Sequence, residues 1–384
     1  MLVPSTPVDF SALVSYNVSR SCIFRAKERA FLMNLDDVAG MRRLDPEGML
    51  EHIRELPAQC RTAWKDLAGW QLPEGYRSAK ALVVAGMGGS AIGGDLLRTW
   101  AEPLSPVPIL VCRDYRLPHW VGPSTLVVAS SYSGGTEETL AAFQDALARG
   151  AFAMALTTGG ELGSAAEVAG VPCVRIRYRS APRAALGVSF VSLLRIAHQA
   201  GLVPDPERDL DEGVAEMERL RAEIGEEIPE AHNPAKRLAQ ELYGRPVVVY
   251  GAEHLREVAR RWKGQVNENA KTWAFYEEIP EMNHNAVMAY ESQPTVNRTF
   301  GVIFLTSPEN HPRNQIRFRA TADLLRRYGV AYHQVGARGK SRLAQMLTAL
   351  FYGDYLSFYL AMLYGKDPTH IGTIQYIKQV LAEH

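Results

Sequence analysis

Short runs of apolar, β-branched residues alternate with helical patterns along most of the chain. Helical spacing of apolar residues marks the segments at 91–100 and 137–150. Strands that alternate with helices predict parallel sheets covered by helices on both faces, the α/β class. The predicted strands of the first half are KALVVAG (80–86), TLVVASS (125–131), FAMALTT (152–158) and VPCVRIR (171–177).

The same pattern returns in the second half of the chain. RPVVVYGAEH (245–254), FGVIFLTSP (300–308) and YGVAYHQVG (328–336) follow the order of the first-half runs, after a charged, proline-containing link at 197–213. A chain of 384 residues is also too long for one ordinary core. We predict two tandem domains, 35–205 and 206–384, each a mostly parallel, flavodoxin-like three-layer sandwich that arose by internal duplication. Residues 1–34 form an unassigned N-terminal extension.

Two long segments are predicted to be helical. DPEGMLEHIRELPAQCRTAWKDL (45–67) has apolar residues at helical spacing after Pro46. LAQMLTALFYGDYLSFYLAMLYG (343–365) is strongly apolar but is interrupted by Gly353 and Asp354. It predicts a buried helix that could pack against a second subunit, and not a membrane span.

The charge balance excludes several classes of partner. Lys+Arg and Asp+Glu both number 42, so the net charge is zero. General affinity for nucleic acid or for an anionic membrane is not expected, and any phosphate site must be local. The four cysteines lie far apart without CxxC or zinc-ligand spacing, which favours a reducing, cytoplasmic location and no metal.

The first predicted phosphate turn is GMGGSAIGGD (86–95), which lies between a strand and a helix. Glycines let the backbone approach an anion, and a helix N-terminus offers free amides. Gly89 and Ser90 are its candidate contacts. The glycines do not form GxGxxG, and the strand that ends at Ser131 carries no acidic residue, so a dinucleotide site is disfavoured. A plain tight turn is the structural alternative.

The second predicted phosphate turn is SSYSGGTEET (130–139), at the end of the next strand. Ser131, Ser133 and Thr136 place three hydroxyls on a glycine-bent turn. A helix cap by Ser133 or Thr136 is the structural alternative. Two such turns at consecutive strand ends favour phosphate binding without a lysine.

A candidate acid–base pair lies in NENAKTWAFYEEIPEMNHN (267–285), where Glu268 precedes His284 by sixteen residues. Each is flanked by asparagines, whose amides can orient a carboxylate and an imidazole without adding charge. Such groups can move a proton on and off carbon and open a sugar ring. Glu268 on a solvated helix and His284 in a surface loop are the structural alternatives. Together with the phosphate turns, the pair predicts a sugar-phosphate isomerase.

These motifs resemble a known family. The two turns resemble those of the sugar isomerase (SIS) domain. Four further segments resemble the bifunctional phosphoglucose/phosphomannose isomerases, from about Leu35 to the end of the chain. They are PRAALG (182–187), RWKGQVNENAK (261–271), PEMNHN (280–285) and DPTHIGTIQYIK (367–378).

The resemblance implies roles for individual residues. Glu268 is expected to be the base that moves a proton between C2 and C1, and Arg183 to stabilise the enediolate. His284 and Lys378 are expected to serve ring opening, without cofactor or metal. It also implies a homodimer in which His284 acts in the neighbouring subunit's site. The expected phosphate ligands are Gly89, Ser90, Ser131, Ser133 and Thr136.

The expected activity is the interconversion of glucose 6-phosphate, mannose 6-phosphate or both with fructose 6-phosphate. Two departures from the family pattern bear on detail: Gly135 stands where asparagine is usual, and Ala286 where an acidic residue is common. A non-catalytic sugar-phosphate regulator is the main alternative function. An aminosugar synthase is a third, but it needs an ammonia-supplying domain or partner.

Overall fold

The computed structural model describes residues 33–383, so nearly all of the predicted N-terminal extension lies outside the described residues. Within them, two sheets have the strand orders β2-β1-β3-β4-β5 and β7-β6-β8-β9, and neighbouring strands in both sheets are parallel. The predicted α/β class is confirmed. The strands are β1 Ala81–Gly86, β2 Ile109–Cys112, β3 Thr125–Ser130, β4 Phe152–Thr157, β5 Cys173–Arg175, β6 Val247–Ala252, β7 Ala274–Ile279, β8 Gly301–Thr306 and β9 Ala331–Gly336.

Helices cover both sheets. They are α1 Val38–Leu44, α2 Met49–Arg54, α3 Leu56–Asp66, α4 Gly88–Ala101, α5 Glu137–Ala148, α6 Gly160–Val168, α7 Leu186–Gln199, α8 Glu207–Ile224, α9 Pro234–Leu242, α10 Arg256–Ala270, α11 Pro294–Asn297, α12 Pro312–Arg327, α13 Arg342–Leu363 and α14 Gly372–Ala382. Short 3₁₀ turns lie at Glu74–Ser78, Pro182–Ala185, Glu230–His232, Glu253–Leu255, Glu281–His284 and Ala286–Glu291.

The central strands are apolar because both of their faces are covered. Successive side chains of β1 alternate between two cores: Leu82 and Val84 join one, Val83 and Ala85 the other. All six residues of β1 are buried. Such continuous apolar runs are typical of parallel sheets between helical layers.

Helix α13 is the central helix of the described chain. Its residues from Leu343 to Leu363 are all buried, and it packs against α8, α9 and α10. It is long and apolar enough to cross a membrane, but that entire stretch is buried inside the protein. The prediction of a buried helix is confirmed. Its own chain covers it, so it leaves no free face for a second subunit.

The two polar or small interruptions in α13 are contact points. Gly353 admits the indole of Trp262, since a Cβ at Gly353 would lie 2.2 Å from Trp262 Nε1. Trp262 Nε1 donates to the carbonyl of Ala349 at 2.8 Å. Asp354 pairs with Arg261 at 3.3 Å. These contacts join α13 to α10, the helix that carries Glu268 near its end.

One predicted helix differs from the structure, and two strands were missed. The predicted helix 45–67 is two helices, α2 and α3, and Pro57 lies in the first turn of α3, where a missing N–H is tolerated. Strands β2 and β7 were not predicted. Both are edge strands that expose part of their side chains, which weakens the apolar signal. The domain boundary at 205/206 stays a prediction, since α8 packs against both α3 and α13.

Candidate active site

The two predicted phosphate turns meet at the carboxyl edge of the first sheet. Strands β1 and β3 are neighbours, with Gly86 opposite Ser130. The turns also touch directly, because the Tyr132 amide donates to Ser90 Oγ at 3.1 Å. Glycine is required at position 86, where a Cβ would lie 2.6 Å from the Ser130 carbonyl oxygen.

Hydroxyls of the second turn organise the backbone around them. Ser131 Oγ lies 2.9 Å from Thr136 Oγ1 and accepts a hydrogen bond from the Gly134 amide at 3.1 Å. Ser133 is exposed at the tip. Neither α4 nor α5 has a side-chain hydrogen bond capping its N-terminus. Capping therefore does not explain Ser133 or Thr136, and the first amides of both helices remain suited to an anion.

Arg183 lies beside the first phosphate turn. It belongs to the 3₁₀ turn Pro182–Ala185, and its side chain is only 3% exposed. The backbones of Gly89 and Arg183 approach so closely that a Cβ at Gly89 would lie 3.1 Å from Arg183 Cα. The glycine thus brings the phosphate turn against the arginine.

The Arg183 guanidinium points at Glu268. Nη1 lies 3.5 Å from Glu268 Oε2, and Nε donates to Asn269 Oδ1 at 2.9 Å. Nη2 donates to the carbonyls of Pro368 and, at 3.3 Å, Thr369. Burial lowers the pKa of Arg183, and the neighbouring Glu268 carboxylate opposes that shift. The contacts fix the guanidinium and leave the Glu268 side chain 33% exposed.

A buried polar layer beneath this pair was not predicted from sequence. Arg261 Nη2 donates to the Arg183 carbonyl at 2.8 Å and pairs with Asp354. Asn269 Nδ2 donates to Ser357 Oγ at 2.9 Å. The one available signal was Asp354, a carboxylate in the middle of an otherwise apolar helix, because a buried acid there needs a cationic partner.

His284 does not share a single-chain site with Glu268. Glu268 lies near the end of α10, before β7, whereas His284 lies in the exposed turn after β7. The strand between them has six residues. At about 3.3 Å per residue it separates its two ends by roughly 20 Å. The two residues thus flank opposite ends of β7.

The side chain of Lys378 is exposed. It lies in α14, which buries none of its residues against the chain. Three apolar side chains of that helix, Ile374, Ile377 and Leu381, are 40%, 55% and 50% exposed. The helix presents an uncovered apolar stripe together with the lysine.

The corresponding strand ends of the second sheet are filled by protein. Gln345 from α13 accepts a hydrogen bond from Ser307 Oγ at 2.6 Å and lies 2.8 Å from His254 Nε2. The ends of β6 and β8 are therefore occupied by side chains of the same chain, unlike the ends of β1 and β3. Among the described residues, no cluster of three or more His, Cys, Asp or Glu side chains could hold a metal ion.

The chain is similar to known proteins over most of its length. The bacterial phospho-glucose isomerase C-terminal SIS domain matches residues 231–381. A bifunctional phosphoglucose/phosphomannose isomerase of Caldicellulosiruptor bescii is 40% identical over 336 residues, covering 87% of this chain and 99% of that protein. Its counterpart from Aquifex aeolicus is 34% identical and covers 84% of this chain and 95% of that protein. A hypothetical protein from Thermus thermophilus shares the fold, with a TM-score of 0.67 at 19% identity and 95% coverage of both chains.

Proposed function

The chain belongs to the bifunctional phosphoglucose/phosphomannose isomerase family, and we propose that it interconverts glucose 6-phosphate, mannose 6-phosphate or both with fructose 6-phosphate. It is an aldose–ketose isomerase. Apart from family membership, one observation supports the proposal. Arg183 and Glu268 lie 3.5 Å apart, beside the two predicted phosphate turns.

The pair supplies the two groups that enediolate chemistry requires. After ring opening, the Glu268 carboxylate removes the proton from C2 of the aldose and returns it to C1. The negative charge that develops on the sugar oxygens is met by Arg183, whose guanidinium is already held in place by Asn269 and two carbonyls. A fixed cation costs no reorganisation when charge develops, so it stabilises the transition state in particular.

We assign the substrate phosphate to the two turns. Ser133 and Thr136, with the uncapped amides of α4 and α5, can donate to phosphate oxygens. Ser90 joins the two turns by accepting from the Tyr132 amide, and Ser131 stabilises the second turn by accepting from the Gly134 amide. Gly89 lets the phosphate turn lie directly against Arg183.

We infer that the working enzyme is a homodimer in which His284 completes the partner's site. Two observations support this inference. His284 and Glu268 flank opposite ends of β7, which favours separate sites for them within one chain. The edge strand β7 also carries an exposed aromatic pair, Trp273 and Phe275, stacked at 6.0 Å and 72% and 45% exposed. Lys378, on the uncovered α14, would be positioned for ring opening by the same association. The free cysteines of the described chain suit a cytoplasmic location.

A coupled assay for fructose 6-phosphate tests the proposal. We expect turnover of glucose 6-phosphate, mannose 6-phosphate or both, at equal rates with and without EDTA. Binding of the sugar phosphates without turnover would instead identify a sugar-phosphate regulator. Loss of activity in EDTA would contradict the metal-free mechanism.

A further inference from the structure

Lys271 has an unusual backbone for its residue type. It ends α10 with φ 53° and ψ 36°, in the left-handed region. Glycine or asparagine commonly occupies this position at the end of a helix, because a Cβ there is unfavourable. Lys271 also follows Glu268 by only three residues, so its conformation sets how the helix ends next to the catalytic carboxylate.

The Lys271 ammonium lies within hydrogen-bond distance of four backbone carbonyls, which share its three N–H donors. Nζ lies 2.7 Å from the Glu268 oxygen and 3.3 Å from the Asn269 oxygen, both at the end of α10. It lies 2.6 Å from the Asp367 oxygen and 3.1 Å from the Pro368 oxygen. Lys271 therefore ties the helix end to residues 367–369, which we call the strap.

Arg183 binds the same strap. Its Nη2 donates to the carbonyls of Pro368 and Thr369, so the Pro368 oxygen is shared by Arg183 and Lys271. The strap is thus held between the two cations. Movement of the strap would disturb the Arg183 guanidinium, and release of the helix end would disturb Glu268.

The charge on Lys271 is sensitive to pH. Lys271 remains partly open to solvent, and the charged groups that act on its amine are two cations, Arg183 and Lys366, and two carboxylates, Glu268 and Asp367. Burial of the amine, followed by repulsion from Arg183, lowers the pKa of Lys271 to about 8. A neutral amine keeps two N–H donors and no charge, so it holds four carbonyls more weakly than an ammonium does.

We propose that protonated Lys271 is a positioning residue for the isomerase. It fixes the position of Glu268 relative to Arg183 by binding both the end of α10 and the strap. The inference rests on the proposed function for its kinetic readout. Lys271 acts through Glu268 and Arg183 and is not itself assigned a contact with the substrate.

The pH dependence of kcat is the first test. In the wild type, kcat should fall as pH rises through about 8, while KM changes little because the phosphate turns are untouched. Lys271→Met should lower kcat by up to ~10²-fold, the scale of a misplaced catalytic group, and should lose the alkaline fall. Lys263→Met, on the same helix, is the matched control and should keep the wild-type profile.

Chemical rescue separates the role of charge from general damage. Lys271→Cys treated with 2-bromoethylamine regains an ammonium on a side chain of lysine length. Its pKa is lower than that of lysine, since the sulfur withdraws electrons. Activity should return, and kcat should now fall at a lower pH than in the wild type. Wild type treated in the same way controls for modification of the native cysteines. Full activity of Lys271→Met with an unchanged alkaline fall would overturn the proposal.

Amide hydrogen exchange gives a readout that does not need turnover. The Thr369 amide, which donates to Asp367 Oδ1 at 2.8 Å, reports on the order of the strap. Faster exchange across 367–370 in Lys271→Met, but not in Lys263→Met, supports the attachment of the strap by Lys271 even if wild type proves inactive. Unchanged exchange contradicts it. Absence of wild-type turnover would instead count against the proposed function.

Discussion

Arg183 Nη1 lies 3.5 Å from Glu268 Oε2, although the two residues come from different halves of the chain. Arg183 precedes α7 in the first half, and Glu268 lies near the end of α10 in the second. The arginine is buried and fixed, whereas the carboxylate keeps an open side. Because the arginine also lies against a predicted phosphate turn, the proposed mechanism makes this pair the link between substrate binding and proton transfer. Its consequences can be measured.

Removing the Arg183 charge should lower both kcat and the free energy of unfolding. Arg183→Met should lower kcat by about 10²–10³-fold, the scale of losing one fixed group that stabilises an anionic transition state. It also leaves the Pro368 and Thr369 carbonyls without this donor, which should lower stability by about 1–3 kcal/mol. Arg183→Lys keeps the charge but cannot reproduce the planar contacts, so we expect an intermediate kcat.

Steady-state kinetics and thermal unfolding measure these effects. Arg177→Met, at an exposed position that precedes the same turn, is the matched control and should leave both quantities unchanged. Wild-type kcat in Arg183→Met would remove the arginine from the mechanism.

Mixing two inactive variants tests whether His284 acts across subunits. Glu268→Gln and His284→Ala should each be inactive as homodimers. After unfolding and refolding together in equal amounts, half of the dimers contain both variants, and one of their two sites has both wild-type residues. Activity should therefore return to about a quarter of the wild-type value. No recovery in demonstrably mixed dimers would mean that both residues serve the same chain's site.

A side chain should disrupt the second turn at Gly134 but be tolerated at the adjacent Gly135. A Cβ at Gly134 would lie 2.0 Å from the Gly159 carbonyl oxygen, at a φ of 74°. Gly134→Ala should therefore distort the second turn and weaken inhibition by inorganic phosphate. A Cβ at Gly135 would meet nothing within 4 Å. Gly135→Asn, which restores the family's usual residue, should keep both the melting temperature and the phosphate inhibition constant.

The titration of Lys271 should make the free energy of unfolding rise with pH, whereas it should make kcat fall. Its pKa is about 8 in the folded chain, against an ordinary value of 10.5. Between these values the unfolded chain binds more protons, so rising pH favours the folded state. The contribution is complete above 10.5 and is lost as pH falls through about 8. The melting temperature of wild type minus that of Lys271→Met should grow across this window. A constant or shrinking difference would contradict the lowered pKa.

Periodicity predicted the fold where both faces of a strand are buried. β1 and β3 were found close to their predicted bounds because ALVVAG and TLVVAS are apolar throughout most of their length. β7 was not predicted, since AFYEEI carries two glutamates and exposes Phe275 at the sheet edge. That strand determines the distance between Glu268 and His284, so the sequence spacing of sixteen was a poor guide to their relation in space.

The sequence predicted the residues of the candidate site but not the contacts that hold them in place. Motifs could select Arg183 and Glu268, yet only the fold brings them together, because contacts between distant segments leave no periodic signal. The same holds for Lys271, whose partners Asp367 and Pro368 are remote in sequence. The apolar segment at α13 was correctly predicted to be a buried helix, but its composition did not tell whether its own chain or a second subunit would cover it.

The central claim is that Glu268 performs the proton transfer of an aldose–ketose isomerase. The most direct measurement is kcat for fructose 6-phosphate formation by wild type, Glu268→Gln and the exposed control Glu309→Gln. Glutamine keeps the size of the side chain but cannot accept the proton, so kcat of Glu268→Gln should fall by ~10³-fold or more. Glu309→Gln should match wild type, and all three proteins should share one melting temperature. Undiminished turnover in a folded Glu268→Gln would contradict the assignment.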